Sequence, residues 1–209
     1  MARYTGPSCH LCRYLGEKLF LKGQRCLGPK CALEGRSAPT RGRPKGRRRR
    51  ISERGLQLRQ KQKVRFSYGV LERQFRRFFA MAKKTSGIAG DNILILMERR
   101  LDNVVCSLGF ADSRAQGRQI VGHGHIRVNG HKVDIPSYLV EAGDVISWRE
   151  ASVRTAYYKR RVEEIKGKTT PRWLSLDEQG MKGNVLALPS IEDIDTRFDG
   201  TVVVEYYSR

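Results

Sequence analysis

Apolar residues recur every three or four positions through the first half of the chain, which is the spacing of one face of an α-helix. The clearest series is Leu71, Phe75, Phe78, Phe79 and Ala82. It predicts a helix that ends before Gly87 and carries basic residues on its outward face. Ser52 is placed to cap a preceding helix, and Gly69 is placed to end it.

A second apolar stripe predicts another helix, which begins after Asp91 and ends at Gly109. Its inner positions are Met97, Leu101, Val104, Val105 and Leu108. The polar residues predicted to lie toward its other faces are Arg99, Arg100, Asp102 and Asn103. Ser113 and Gln116 then fit a capping box, so we expect a further helix after them.

The pattern changes to strict alternation after Gly122. Ile126 and Val128 point to one face, and Asn129-Gly130 is a strong signal for a type I′ hairpin. A further strand is predicted at Val145, Ile146 and Trp148. Two helices packed on a small antiparallel sheet follow from this pattern, which places the chain in the α+β class.

The last third of the chain is less regular. Residues 153–168 have helix-like spacing, whereas 173–183 is predicted to be rich in loops. The end of the chain carries Val202, Val203 and Val204, whose branched side chains predict β-structure there.

Four of the five cysteines lie within the first 31 residues. They form a Cys-x-x-Cys pair, Cys9 and Cys12, followed by Cys26 and Cys31. In a reducing cytosol this clustering favours a metal over disulfides, because four thiolates on two short loops can surround a tetrahedral ion. A single structural zinc ion fits best. An iron–sulfur centre and four reduced, unbound thiols are the alternatives.

The net charge of the chain indicates the kind of partner that it binds. The 209 residues include 41 Lys plus Arg against 21 Asp plus Glu, a formal net charge of +20. This excess indicates a polyanionic partner, and a Pro-, Gly- and Arg-rich segment at 36–50 is expected to order only against phosphates.

The longest apolar run, Ile93 to Met97, is too short to span a bilayer. The start carries no apolar leader, so we expect a cytosolic location and no membrane partner.

Three runs in the middle of the chain carry a family resemblance: Arg99 to Val105, Leu108 to Arg114 and His123 to Gly130. They resemble the RNA-binding module of the family of bacterial small-subunit ribosomal protein four. The opening Ala2 to Pro7, the four clustered cysteines and the ending Val203 to Arg209 are similar to the same family. The resemblance therefore covers nearly the whole chain.

The resemblance implies a structural protein of the small ribosomal subunit that binds 16S ribosomal RNA. It further implies early assembly of the subunit body, a position near the channel through which messenger RNA enters, and a part in translational accuracy. Contact with small-subunit protein five and location in the cytoplasmic ribosome are implied as well. The four cysteines correspond to the zinc ligands of the metal-bearing members. Gly117 stands where the family more often has alanine, which predicts a less stable helix by ~1 kcal/mol.

The resemblance and the composition divide the chain into three parts. Residues 1–50 form a four-cysteine zinc knuckle and a basic linker, 51–90 a helical domain completed by the segment 170–209, and 91–169 the RNA-binding module. The residues predicted to contact RNA are Arg3, Tyr4, Arg47, Arg48, Arg49, Arg50, Arg59, Lys61, Lys63, Arg73, Arg76, Arg114, Arg118, His123, His125, Arg127, Asn129 and Lys132.

Two other functions compete with this prediction. An RNA-modifying enzyme can carry the same module as an accessory, but it needs a separate catalytic domain, and no nucleophile with a paired base is evident here. A DNA regulator would need a recognition helix directly after the cysteines, where the sequence has Ala38-Pro39-Thr40 and an arginine-rich segment. We therefore expect neither an enzyme nor a small-molecule substrate. Repression of its own messenger is left open.

Overall fold

A computed structural model describes residues 3–34 and 51–208, which divide into two compact units. The first unit joins the chain up to Ile93 with the segment from Arg197 onward, and the second spans Leu94–Thr196. The sequence-based division differs, because it joins 170–209 to the helical domain at 51–90. The structure places 170–196 in the second unit, where these residues extend the sheet.

The first unit is helical in the part of the chain described. Its elements are α1 (Ser8–Leu15), a 3-10 turn (Gly23–Cys26), α2 (Glu53–Ser67), α3 (Glu72–Lys84), the start of α4 (Ala89–Glu98) and, at the far end of the chain, α9 (Gly200–Ser208). Ser52 caps α2 as predicted, since its hydroxyl accepts the N–H of Gly55 at 3.2 Å. Gly69 follows α2 with a φ of 64°, a conformation that glycine adopts without strain.

Helix α3 confirms the predicted apolar stripe. Phe75 and Ala82 are fully buried, and Phe78 and Phe79 are nearly so. Each fully buried phenylalanine stabilises the fold by about 1.5–3 kcal/mol relative to an exposed one. The stripe therefore fixes which face of α3 remains available for its basic residues.

The prediction of β-structure at the C-terminus is wrong, because Gly200–Ser208 is helix α9. Helix α9 packs against α2. The ring of Tyr207 lies 4.7 Å from that of Phe79 and 6.2 Å from that of Phe75, measured between centroids. Its hydroxyl donates a hydrogen bond to Glu72 at 2.7 Å. These long-range contacts outweigh the weak β-propensity of the three valines.

The second unit contains a five-stranded antiparallel sheet in the order β2-β1-β3-β5-β4. The strands are β1 (Ile126–Val128), β2 (His131–Lys132), β3 (Val145–Trp148), β4 (Leu174–Asp177) and β5 (Lys182–Val185). The helices of this unit are α5 (Leu101–Ser107), α6 (Arg114–Gly122), α7 (Glu150–Val153) and α8 (Ala156–Glu164), with a 3-10 turn at Ile191–Asp193.

Strands β4 and β5 replace the loop-rich stretch that the sequence predicted. Strand β5 pairs with β3, placing Gly183 opposite Ile146. A side chain at position 183 would collide with the side chain of Leu108, so glycine lets the sheet approach the core at this point. Local composition cannot reveal a strand whose pairing partner lies far away along the chain.

The single helix predicted from Asp91 to Gly109 is broken at Arg99 and Arg100. The N–H of Leu101 donates to the carbonyl of Tyr138 at 2.8 Å instead of bonding within a helix. Arg100 is extended, with φ −65° and ψ 133°, and forms an isolated bridge with Leu139. Pairing with the 136–140 segment therefore separates α4 from α5.

The core of the second unit lies between α5, α6 and the sheet. Leu101, Phe110, Ile126 and Ile146 are completely buried there. Within the residues that the structure describes, no helix combines the length and apolar character needed to cross a bilayer.

Candidate nucleic-acid interface

The hairpin between β1 and β2 is confirmed as a type I′ turn. Asn129 and Gly130 have φ angles of 51° and 81°, the positive values that this turn requires. The Asn129 amide is engaged within the protein: its Oδ1 accepts the N–H of Val145 at 2.8 Å, and its Nδ2 donates to Asp144 at 2.7 Å. Asn129 therefore stabilises the hairpin, and both polar atoms of its amide bond within the protein rather than to RNA as predicted.

Arg127 and Lys132 stand opposite each other on the paired strands β1 and β2. Lys132 crosses over Gly124, where any side chain would collide with it. Arg127 pairs with the exposed Glu150 at 2.8 Å, and Lys132 with the exposed Asp134 at 3.3 Å. Exposed ion pairs of this kind contribute little to stability, so both cations can exchange their partner for a phosphate.

Two histidines lie beside these cations. The rings of the exposed His123 and the half-buried His125 have centroids 6.1 Å apart. Burial, together with the nearby His123 and Arg149, lowers the pKa of His125, which favours the neutral form of its ring. Sequence reasoning missed Arg149, which is exposed and whose backbone N–H donates to the carbonyl of His125 at 2.8 Å. The position of Arg149 directly after the predicted strand is the sequence feature that could have identified it.

Helix α6 begins as the capping signal predicted. The Ser113 hydroxyl accepts the N–H of Gln116 at 3.4 Å, while Gln116 Oε1 accepts the N–H of Asp112 at 2.8 Å. Arg114, in the first turn, donates through Nε to Asn103 Oδ1 at 2.6 Å and is half-buried. Its guanidinium therefore presents only part of its surface at this helix N-terminus.

Arg118 lies inside the protein rather than on its surface. It is 9% exposed and contacts Asp102 Oδ2 at 3.4 Å. The same carboxylate takes two bonds from the fully buried Arg100, at 3.0 Å and 2.6 Å. The sequence placed Arg100 and Asp102 toward other faces of a helix, which is wrong. The helix break at Arg100 turns this cluster inward.

The basic residues of α2 and α3 divide into two groups. Arg59, Arg73 and Arg76 are exposed. Lys61 is 3% exposed and donates to both Glu72 oxygens, at 2.9 Å and 3.0 Å, and Lys63 is buried against Glu17. Lys61 and Lys63 therefore hold the first unit together and do not offer their charge to an external phosphate.

Arg3 and Tyr4 are exposed at the start of the described chain. The predicted contacts Arg47, Arg48, Arg49 and Arg50 lie outside the described residues.

The four clustered cysteines line one small cavity of about 20 Å³ in the first unit. As the side chains are placed in 3–34 and 51–208, no three histidine, cysteine or carboxylate groups stand together closely enough to hold a metal ion. The donor chemistry nevertheless suits zinc. Lys18, Lys22, Arg25 and Lys30 line the same cavity, and the Lys22 N–H donates to Cys26 Sγ at 3.3 Å. Cations and N–H donors of this kind stabilise the excess negative charge of a tetrathiolate centre.

Comparison with known proteins agrees with this geometry. Residues 3–98 match the family described as ribosomal protein S4/S9 N-terminal domain, and residues 99–146 match the S4 domain. The chain is 57% identical to small ribosomal subunit protein uS4 of Dehalococcoides mccartyi and 53% identical to that of Halothermothrix orenii. Both alignments span 209 residues and cover each protein completely. The chain belongs to the uS4 family.

Membership of the uS4 family accounts for the two units and the basic surface. The family consists of structural ribosomal proteins rather than enzymes. Membership implies location in the ribosome, a structural role in its small subunit and binding to the 16S RNA of that subunit. The predicted resemblance is thereby confirmed.

Proposed function

We propose that this uS4 family member is a primary binder of 16S ribosomal RNA that helps to nucleate assembly of the body of the small subunit. The observation that supports this role is the placement of exposed or half-exposed cations on rigid elements in each unit. Arg73 and Arg76 lie on α3, and Arg127 and Lys132 lie on a hairpin locked by Asn129. Because buried side chains hold α3 in place and the Asn129 hydrogen bonds hold the hairpin, little conformational entropy opposes their binding.

Affinity arises from phosphates and selectivity from shape. Arginine and lysine release counterions when they contact the RNA backbone, which supplies most of the binding free energy. Cations at fixed separations recognise a particular arrangement of phosphates, as a folded RNA junction presents it. A regular duplex offers a different arrangement and should bind more weakly.

Competition between RNAs tests this proposal. The full chain is bound to a folded fragment of the small-subunit RNA and challenged with a duplex of equal length at the same salt concentration. We expect the folded fragment to bind at least tenfold more tightly. Equal affinity for the two RNAs would reject the role of a primary, structure-selective binder.

We further propose that Cys9, Cys12, Cys26 and Cys31 hold one structural zinc ion. The support is their shared cavity and the cationic groups that line it. The apolar core beside α1 is small, with only Leu11, Cys12 and Leu19 buried in it among the described residues. A bound ion would therefore supply order that apolar packing alone does not.

Metal content of the purified chain tests the zinc proposal. We expect one zinc per chain in the wild type and in the control Cys106→Ser, which alters a half-buried cysteine of the second unit. Cys9→Ser should lose the metal. Iron with acid-labile sulfide would support the iron–sulfur alternative, and a metal-free wild type would reject any such site.

The remaining roles follow from the family resemblance and complete the proposal. We expect the protein to lie near the channel through which messenger RNA enters, to contact small-subunit protein five and to influence translational accuracy. Cross-linking in intact small subunits tests both contacts. Adducts with protein five and with bound messenger are expected, and their absence would limit the role to RNA binding and assembly.

A further inference from the structure

A pocket of about 230 Å³ opens on the second unit, apart from the hairpin cations described above. It is formed by α6, the turn between α6 and β1, the end of β3 and the N-terminal end of α8. The lining residues are Gln116, Gln119, Ile120, His123, His125, Trp148, Thr155 and Tyr157. The volume lies below the ~300 Å³ at which sites for drug-sized ligands begin, which suits a single flat heterocycle.

The aromatic wall of the pocket is held rigidly. Trp148 lies 5.6 Å from Phe110 and 6.1 Å from Tyr157, measured between ring centroids. The Tyr157 hydroxyl donates to the carbonyl of Phe110 at 2.9 Å. These contacts fix the rings before any ligand arrives, so a planar group stacked on them would lose little binding energy to side-chain ordering.

The polar groups of the pocket can form hydrogen bonds with the edge of a planar heterocycle. Gln116 uses its Oε1 to accept the N–H of Asp112, which orients its amide, and His125 is fixed by a 2.9 Å contact between Nδ1 and Ser152 Oγ. Gln119 and His123 are exposed at the mouth. Amide and imidazole groups provide both donors and acceptors, the combination that the edge of a nucleobase requires.

The surroundings of the pocket are cationic. Arg149, which follows Trp148 in the chain, and Arg154, which precedes Thr155, are both exposed. Lys159 is exposed on α8. A base that enters the pocket brings its own phosphates to this rim, which distinguishes a nucleotide from a neutral side chain as the occupant.

We propose that this pocket receives one unstacked base of the bound RNA, which stacks on the Tyr157 and His123 rings and is recognised at its edge by Gln116 and Gln119. The inference rests on the proposed RNA binding and adds a base-specific contact to it. Single-stranded loops and bulges supply bases that can be turned outward in this way.

Ultraviolet cross-linking locates the base. The full chain is bound to a small-subunit RNA transcript, irradiated, digested with nuclease and protease, and analysed by mass spectrometry. We expect a mononucleotide adduct on the peptide that contains Tyr157 or on the one that contains His123. Adducts confined to other peptides, or cross-links from these residues to a neighbouring protein in assembled subunits, would overturn the inference.

A variant pair measures the contact. The double variant Gln119→Ala/His123→Ala alters two exposed residues and should fold normally. We expect it to lose about tenfold in affinity for the transcript, with an unchanged salt dependence, because a stacked base contributes without releasing counterions. The matched control Gln179→Ala removes an exposed glutamine outside both the pocket and the β1–β2 hairpin and should bind as the wild type does.

The nucleotide identified by cross-linking supplies the decisive comparison. Replacing it with an abasic residue should weaken the wild type about tenfold and leave the pocket variant unaffected. Equal weakening of both proteins, or of neither, would overturn the pocket contact while leaving RNA binding intact. Failure of the wild type to bind the transcript at all would instead reject the proposed function.

Discussion

At the scale of single residues, the charges that matter most for folding are hidden from the sequence. Arg100 is completely buried, and Asp102 is 3% exposed. Removing a charge from water costs several kcal/mol, which good geometry with a counter-ion offsets. Two Arg100 bonds and the Arg118 contact provide that geometry.

Replacing Asp102 with alanine should therefore destabilise the protein by about 3–5 kcal/mol, because it leaves buried guanidinium groups without their counter-ion. Chemical denaturation of the full chain measures the loss. Glu150→Ala, which removes the exposed partner of Arg127, is the control and should change stability little. Similar losses for the two variants would show that Asp102 has no special role.

Gly117 is a case in which the structure reverses the sequence expectation. Helix propensity predicts that Gly117→Ala adds about 1 kcal/mol of stability. A Cβ at this position, however, would lie 2.6 Å from the backbone carbonyl oxygen of Asp102, so α5 and α6 would have to separate. We therefore expect destabilisation in thermal unfolding. Gly122→Ala in the same helix meets nothing within 4 Å and should be neutral or stabilising. An upward shift in Tm for Gly117→Ala would contradict the packing argument.

Some of the predicted site residues also have partners that are distant in the sequence and cannot be inferred from it. Arg127 and Lys132 could be found from sequence, because the Asn129-Gly130 turn fixes which residues face each other across the hairpin. Lys61, Lys63 and Arg118 are also basic residues in regular sequence patterns, but their carboxylate partners lie on other elements. A basic residue in a helical pattern does not reveal whether it faces solvent or a buried acid.

At the scale of elements, local signals located the features that depend on neighbours in the chain. The Ser52 cap, the α3 stripe and the hairpin all have determinants within a few residues. The break between α4 and α5, the pairing of β5 with β3 and the helical form of α9 depend on distant partners. These were the elements that the sequence misassigned.

Glu72 joins three elements and makes the first unit sensitive to acid. Burial alone would raise the pKa of Glu72, but hydrogen bonds from Lys61 on α2 and Tyr207 on α9 outweigh burial and lower it below its ordinary value of 4.5. A carboxylate with a lowered pKa stabilises the fold fully above its unfolded value, and that stabilisation is lost as the pH falls through the folded value.

Glu72→Gln should therefore flatten the acid limb of the stability curve. We expect the free energy of unfolding of the wild type to fall below about pH 4.5 more steeply than that of the variant. Denaturation series between about pH 3 and 7 measure the difference. Glu163→Gln changes an exposed carboxylate and should follow the wild type. Parallel curves for Glu72→Gln and the wild type would show that Glu72 does not cause the loss of stability in acid.

At the scale of the whole molecule, the two units should respond separately to damage. The cysteine cavity belongs to the first unit, and the sheet with its core belongs to the second. Cys9→Ser/Cys12→Ser is expected to increase hydrogen exchange in residues 8–34 and to leave protection in Leu94–Thr196 unchanged. Exchange measured by mass spectrometry tests this separation. Loss of protection in the sheet would show that the units fold as one.

We expect fixed cations, rather than a catalytic group, to account for the binding of this uS4 family member to RNA. The most direct test is the salt dependence of its affinity for a folded small-subunit RNA fragment. We expect log K to fall linearly with log salt, with a slope of several units, and this slope to be smaller by about 1–2 in Arg73→Gln/Arg76→Gln. A shallow slope that the double variant leaves unchanged would contradict this expectation.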